Sequence, residues 1–183
     1  MTQIHHTGRH SGFSLVEVMV ALLVISIGLL GIAKMQALAI ATTGSARLRS
    51  LGALEAASLA SMMRADRAYW ASSAVAGTQL TVKVQGGSIL SSTDGVILVA
   101  PPVDCGAALC TTPLEMANYD LDQWAQSVNL VIQNGFATIT CQQPAPVAPV
   151  PAEPVTCSIS IAWAEASSPA SLATPQYTVV VQP

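Results

Sequence analysis

Charge is what this chain has least of. Only 9% of its residues are Asp, Glu, Lys or Arg, against about 25% in an ordinary soluble domain. The formal net charge is −3 and the cations form no cluster, which argues against nucleic acid as a partner. Histidine is confined to His5, His6 and His10. No imidazole remains downstream to activate a cysteine as a nucleophile. No Gly-rich phosphate loop follows a strand, and no nucleophile elbow occurs, so the chain carries no enzyme signature and implies no cofactor. Proline is absent before Pro101, so no proline ends a helix in the first hundred residues.

What the chain does have is one long apolar run. A polar leader ends at Gly12, and apolar residues continue from Phe13 to Ala33. That matches the ~20 residues a helix needs to cross a bilayer. A secretory signal would instead have a shorter apolar core followed by a cleavage site of small residues. Here the polar-to-apolar boundary precedes the core. Processing would therefore remove residues 1–12 and leave the span on the mature chain, with no retained role for the leader histidines as a metal site. Glu17 is the one ionisable residue of the run. A carboxylate at membrane depth is costly and asks for a function. Gly28 and Gly31, with Ser26 nearby, either admit a second helix closely or are tolerated soft points. Arg9 precedes the span and the next cation is Lys34, a small bias toward an N-terminus-in orientation.

Gly12-Phe13-Ser14-Leu15-Val16-Glu17 resembles the class III leader of type IV pilins and type II secretion pseudopilins. The resemblance implies that a prepilin peptidase cuts after Gly12 and N-methylates Phe13. It also implies that Glu17 serves subunit assembly. Further stretches resemble PilV-type minor pilins: Val18 to Leu23, Ile27 to Ala33, Met35-Gln36, Met63 to Arg67, and Cys110-Thr111-Thr112-Pro113 with Tyr119-Asp120-Leu121 and Trp124. The fold this implies is α+β. A long N-terminal helix, first transmembrane and then amphipathic, packs on an antiparallel β-sheet head with one inserted helix.

The chemistry of Glu17 can be argued independently of that family. Cleavage after Gly12 would create an α-amino group on Phe13, with a reference pKa of about 7.7–8. Methylation leaves it able to carry a proton. Glu17 follows about one helical turn later. In a lone subunit it can snorkel to the interface. In a fibre of packed apolar helices an unpaired carboxylate costs about 3–5 kcal/mol, and a neighbour's N-terminus is the obvious partner.

One helix is expected from Ser14 to about Arg67, with Leu48, Leu51, Leu59, Met62 and Met63 along one side. Gly44 and Gly52 would weaken that stripe. Glu55 is read as lying at its edge in water, rather than capping a loop or pairing with an arginine. Arg64, Asp66 and Arg67 read as a charged helix end. The domain plan is leader 1–12, span 13–33, amphipathic continuation 34–68 and globular head 69–183.

In the head, Gln79 to Val84 alternates as a half-buried strand does, and Gly86-Gly87 turns. Val96 to Val99 reads as a short strand. Thr112-Pro113-Leu114-Glu115 is a capping box with proline at the first helical position. It opens a helix to about Val128 that buries Leu114, Leu121, Trp124 and Val128. Tyr119 and Asp120 read as cap or packing residues, with Asp122 on another side of the helix. Asn134-Gly135 turns. Strands follow over Phe136–Cys141, Thr156–Ala164 and Tyr177–Val181, with Cys157, Ile159, Ile161 and Trp163 sharing a face. The proline-rich stretch from Pro144 to Pro154 reads as a stiff, solvated hairpin loop, with a recognition strip as the alternative.

Cys105, Cys110, Cys141 and Cys157 permit three pairings. An oxidising compartment favours disulfides, with Cys105–Cys110 and Cys141–Cys157 as the expected pairs. A zinc site would need close cysteine pairs in both halves, which the spacing lacks.

By this reading the protein is a minor pilin that helps initiate type IV pili and joins them at or near the tip, supporting adhesion or twitching. Its partners would be other minor and major pilins, the prepilin peptidase, the inner-membrane assembly platform and a tip adhesin. It would sit in the bacterial inner membrane with a periplasmic head before joining the extracellular fibre. The alternatives are a pseudopilin of a type II secretion system and a membrane-tethered ligand-binding module.

Overall fold

The computed structural model describes residues 12–71, 79–93, 103–143, 153–164 and 174–183. The chain divides into two compact units, one through Gly44 and one from Ser45. Helix α1, Leu15–Ala65, runs without interruption through the residues of both.

In the first unit every described residue of α1 is exposed. In the second, α1 buries Gly52, Ala56, Leu59, Ala60 and Met63. Their spacing of three and four residues makes one helical face. Leu48, Leu51 and Met62 flank that face and are partly buried. The stripe is thus centred on small residues, with the leucines at its sides. Gly52 does not weaken it. A Cβ at Gly52 would stand 3.1 Å from Cζ3 of Trp163 and 3.6 Å from Cβ of Tyr177, so the missing side chain is what lets those rings approach.

Helix α1 stops at Ala65, and Asp66 leads into a four-residue helix α2, Arg67–Trp70. The charged end expected here is therefore a break followed by a second, short helix. It buries Tyr69 and Trp70, whose rings meet edge to face with centroids 5.2 Å apart.

The sheet is antiparallel and five-stranded, in the order β2-β1-β3-β4-β5. Its strands are β1 Gln79–Gln85, β2 Ser88–Ser92, β3 Phe136–Gln142, β4 Thr156–Ala162 and β5 Gln176–Val181. Gly86 and Gly87 both have positive φ, at 63° and 78°, as a two-residue type I′ hairpin requires. They join Gln85 to Ser88 as a cross-strand pair. Strand β2 was not expected, because Ser88-Ile89-Leu90-Ser91-Ser92 has no clear alternation. It is an edge strand recruited by the turn. The Val96–Val99 strand expected in its place lies outside the described residues, as does most of the proline-rich loop.

Register fixes what faces the core. Val82, Ile139, Ile159 and Val179 form one row across four strands. The next row, Lys83, Thr138, Ser160 and Thr178, faces the other way. Strand β4 ends two residues sooner than expected, since the Trp163 N–H donates to the Pro175 carbonyl at 3.1 Å instead of continuing the ladder. Trp163 is nevertheless fully buried, on the same face as Ile159 and Ile161.

Helix α3, Pro113–Val131, begins with both halves of a capping box. The Glu115 N–H donates to Thr112 Oγ1 at 3.2 Å, and Glu115 Oε2 accepts from the N–H groups of Thr111 and Thr112. The helix buries Ala117, Leu121, Trp124, Ala125 and Val128. Leu114 is only partly buried. The helix runs nearly a turn beyond Val128 because Ile132, directly after it, plugs the core with no exposed surface. Asn134 then takes φ 57°, and the Gly135 N–H closes the turn on the Ile132 carbonyl at 2.9 Å.

A Cβ at Gly135 would fall 2.8 Å from Cγ2 of Ile132 and 2.9 Å from its carbonyl oxygen. Neither can retreat, one being part of a buried side chain and the other backbone. Gly135→Ala should therefore destabilise the head by about 1–3 kcal/mol. The expected readout is a lower denaturation midpoint by tryptophan fluorescence of the full chain in detergent. An unchanged midpoint would show that Ile132 yields freely.

Candidate functional site

Gly12 and Phe13 are exposed and non-helical, so the bond between them is open to an approaching enzyme. Helix α1 starts at Leu15, with the Ser14 carbonyl accepting from the Glu17 N–H at 3.0 Å and the Val18 N–H at 3.3 Å. Ser14 thus occupies the cap position, and Glu17 lies in the first turn, where a negative charge suits the helix dipole. Ser14-Leu15-Val16-Glu17 also has the S-x-x-E pattern of a capping box. Reading the run as a membrane segment hid that signal. Residues 1–11, with Arg9 and the histidines, lie outside the described residues.

Downstream of Glu17, α1 is the one helix among the described residues long and apolar enough to cross a membrane, and its most apolar stretch is wholly unburied. A soluble core helix of this hydropathy would be covered. The hydroxyl of Ser26 donates to the Leu22 carbonyl at 2.7 Å, so the helix satisfies its own polar side chain, as a lipid-facing helix must. Gly28 and Gly31 are open, with nothing within 4 Å of an added Cβ.

The second unit joins residues 45–65 of α1 to α3 through polar bonds as well as packing. The Trp124 indole N–H donates to the Glu55 carbonyl at 2.9 Å, and the Ser127 hydroxyl donates to Glu55 Oε2 at 2.8 Å. Glu55 is therefore not a water-facing residue at the edge of the stripe. It is the acceptor that fixes α3 against α1, a role no local pattern could announce across the 69 residues that separate it from Trp124. Disulfides join Cys105 to Cys110 and Cys141 to Cys157. The second pair lies directly opposite in the β3–β4 register.

Where α2 meets α3, two carboxyls are perturbed. Burial pushes the Asp66 carboxyl above its ordinary value, and Asp120 adds to this against the opposing pull of the Tyr69 N–H. Burial alone raises Asp120. Asp66 Oδ2 has no hydrogen-bond partner among the described residues. Asp122 instead accepts from the Gln126 amide at 2.7 Å. Among the described residues no three His, Cys, Asp or Glu side chains gather as metal ligands.

The Asp66–Asp120 pair has a definite pH signature. A carboxyl with a raised folded-state pKa holds its proton more tightly in the folded chain than in the unfolded one. The fold is then favoured in acid and loses that advantage as pH rises from the ordinary carboxyl value through the raised one. Asp120→Asn should raise the melting temperature at about pH 7 by roughly 1–3 °C, the size expected for a few tenths of a kcal/mol after solvent screening. The gain should vanish near pH 3, where both carboxyls are protonated. A gain equal at both pH values would remove the electrostatic explanation.

Residues 8–33 match the family model for the prokaryotic N-terminal methylation motif. No match was found among curated proteins or among solved structures. The matched segment contains the Gly12–Phe13 boundary, Glu17 and the whole apolar run. By its class III prepilin leader and its α+β architecture, the chain is a type IV pilin-like protein.

Proposed function

We propose that this protein is a minor pilin that helps start type IV pilus assembly and is built into the fibre. The observation that carries the proposal is Glu17. It is the lone ionisable group in an unburied apolar helix, about one turn from an exposed Gly12–Phe13 bond. In this reading residues 1–12 are cut off, Phe13 becomes a methylated N-terminus, and residues 13–33 hold the precursor in the inner membrane with the head in the periplasm. The prepilin peptidase, the assembly platform and other pilins are then its partners. On assembly, the Glu17 carboxylate pairs with the terminal amine of a neighbouring subunit. The resemblance to PilV-type chains supports a minor role near the tip, where the head would bear on adhesion and twitching.

The test is Glu17→Ala, with leader cleavage, membrane insertion and recovery in sheared fibres measured together. The variant should be cleaved and inserted normally. Its amount in the sheared fraction should drop at least tenfold, in line with the ~3–5 kcal/mol cost of an unmatched amine–carboxylate site. Normal recovery would overturn the pairing. Mass spectrometry of the assembled chain should show a methylated Phe13 start. Deleting the chain should reduce surface pili and leave protein secretion intact; the opposite pattern would make it a pseudopilin.

A further inference from the structure

The charges of this chain are sorted along it. Every lysine and arginine lies at or before Lys83, and residues 84–183 contain acids from Asp94 to Glu165 but no cation, histidine included. Between Glu17 and Glu55 the only charged residues are Lys34, Arg47 and Arg49, all positive. Arg49 makes no ion pair among the described residues.

Arg49 also borders a recess of about 480 Å³ within the unit that begins at Ser45. The walls are Ser45, Ala46, Ser50 and Ala53 from α1 and Tyr177 from β5. Its origin is steric. Gly52 lets Tyr177 close on the helix at one level, while the short side chains of Ala46 and Ala53 leave the face beside it uncovered. The Ser50 hydroxyl is committed to the Ala46 carbonyl at 3.1 Å. The donors left over are the Arg49 guanidinium and the hydroxyls of Ser45 and Tyr177, none with a partner among the described residues. A guanidinium fork with hydroxyl donors beside a cavity is the complement of a carboxylate.

We propose that this recess receives the carboxylate of an Asp or Glu side chain from a neighbouring fibre subunit. The inference rests on the pilin reading above. Two observations point to a subunit rather than a free small acid. The recess directly follows the assembly helix in sequence. The head region of this chain shows that an acidic, cation-free surface is available on such subunits. A single exposed arginine holds a free carboxylate weakly in water. A carboxylate delivered by an adjoining subunit arrives at high effective concentration.

A photo-crosslinking amino acid placed at Ala46 of the full chain, in piliated cells, tests this directly. Irradiation should join the chain to a pilin-type subunit through a peptide that contains Asp or Glu. Arg49→Glu should cut the yield about tenfold, Arg49→Lys should keep most of it, and an arginine in place of the mapped acid should restore it in the Arg49→Glu chain. Circular dichroism of the Arg49→Glu chain in detergent should be unchanged, since the side chain is exposed. The proposal is overturned by a yield indifferent to Arg49→Glu, by a mapped peptide without a carboxylate, or by no crosslink from chain recovered in sheared fibres. That last result would leave the pilin reading standing. A wild-type chain missing from the fibres would bring down both.

Discussion

An unpaired carboxylate in hydrocarbon has only two remedies. It can stay within reach of water, or it can meet a cation. Glu17 forces that choice on the first part of this chain, because nothing else in the apolar run is charged. Near a helix start it keeps both options, since the first turn places it beside whatever amine ends the chain. The rest of the helix then has one requirement, which is to present apolar surface on every side. The uncovered leucines, isoleucines and valines between Leu15 and Ile32 do so. The same surface serves contact with lipid and contact with like helices, and proposals about membrane and fibre both depend on it.

The second unit obeys an opposite logic. There α1 is amphipathic, and small residues at Gly52, Ala56 and Ala60 let it lie close to its neighbours while Leu59 and Met63 fill the space between. Trp124 and Trp163 add the bulk that these small residues leave room for. Polar bonds are few and specific. Glu55 takes one from an indole through its carbonyl and one from a serine through its carboxylate. With charge so scarce, orientation rests on single hydrogen bonds and on ring shape more than on ion pairs.

Much of the architecture could be read directly from local pattern. The start of α3 was legible because Thr112, Pro113 and Glu115 each satisfy a separate demand of a helix N-terminus. Strand β4 was legible because Cys157, Ile159 and Ile161 alternate with small hydroxylated residues. The leader boundary was legible because polarity changes abruptly at Gly12. What escaped depends on distant partners. Strand β2 exists because Gly86 and Gly87 return the chain against β1, whatever its serines would do alone. Ile132 reads as a loop residue until the core claims it. The recess beside Arg49 arises from a glycine, two alanines and a tyrosine, the last more than a hundred positions away, and no window along the chain contains all of them.

The bridge between Cys141 and Cys157 also alters what a protease could accomplish. These residues sit opposite one another on adjoining strands, so every peptide bond from Gln142 to Thr156 belongs to a covalently closed ring. Hydrolysis at any one of them leaves both halves of the polypeptide tethered. The damage would surface only on a reducing gel, and a subunit nicked outside the cell would still hold its remaining strands in line.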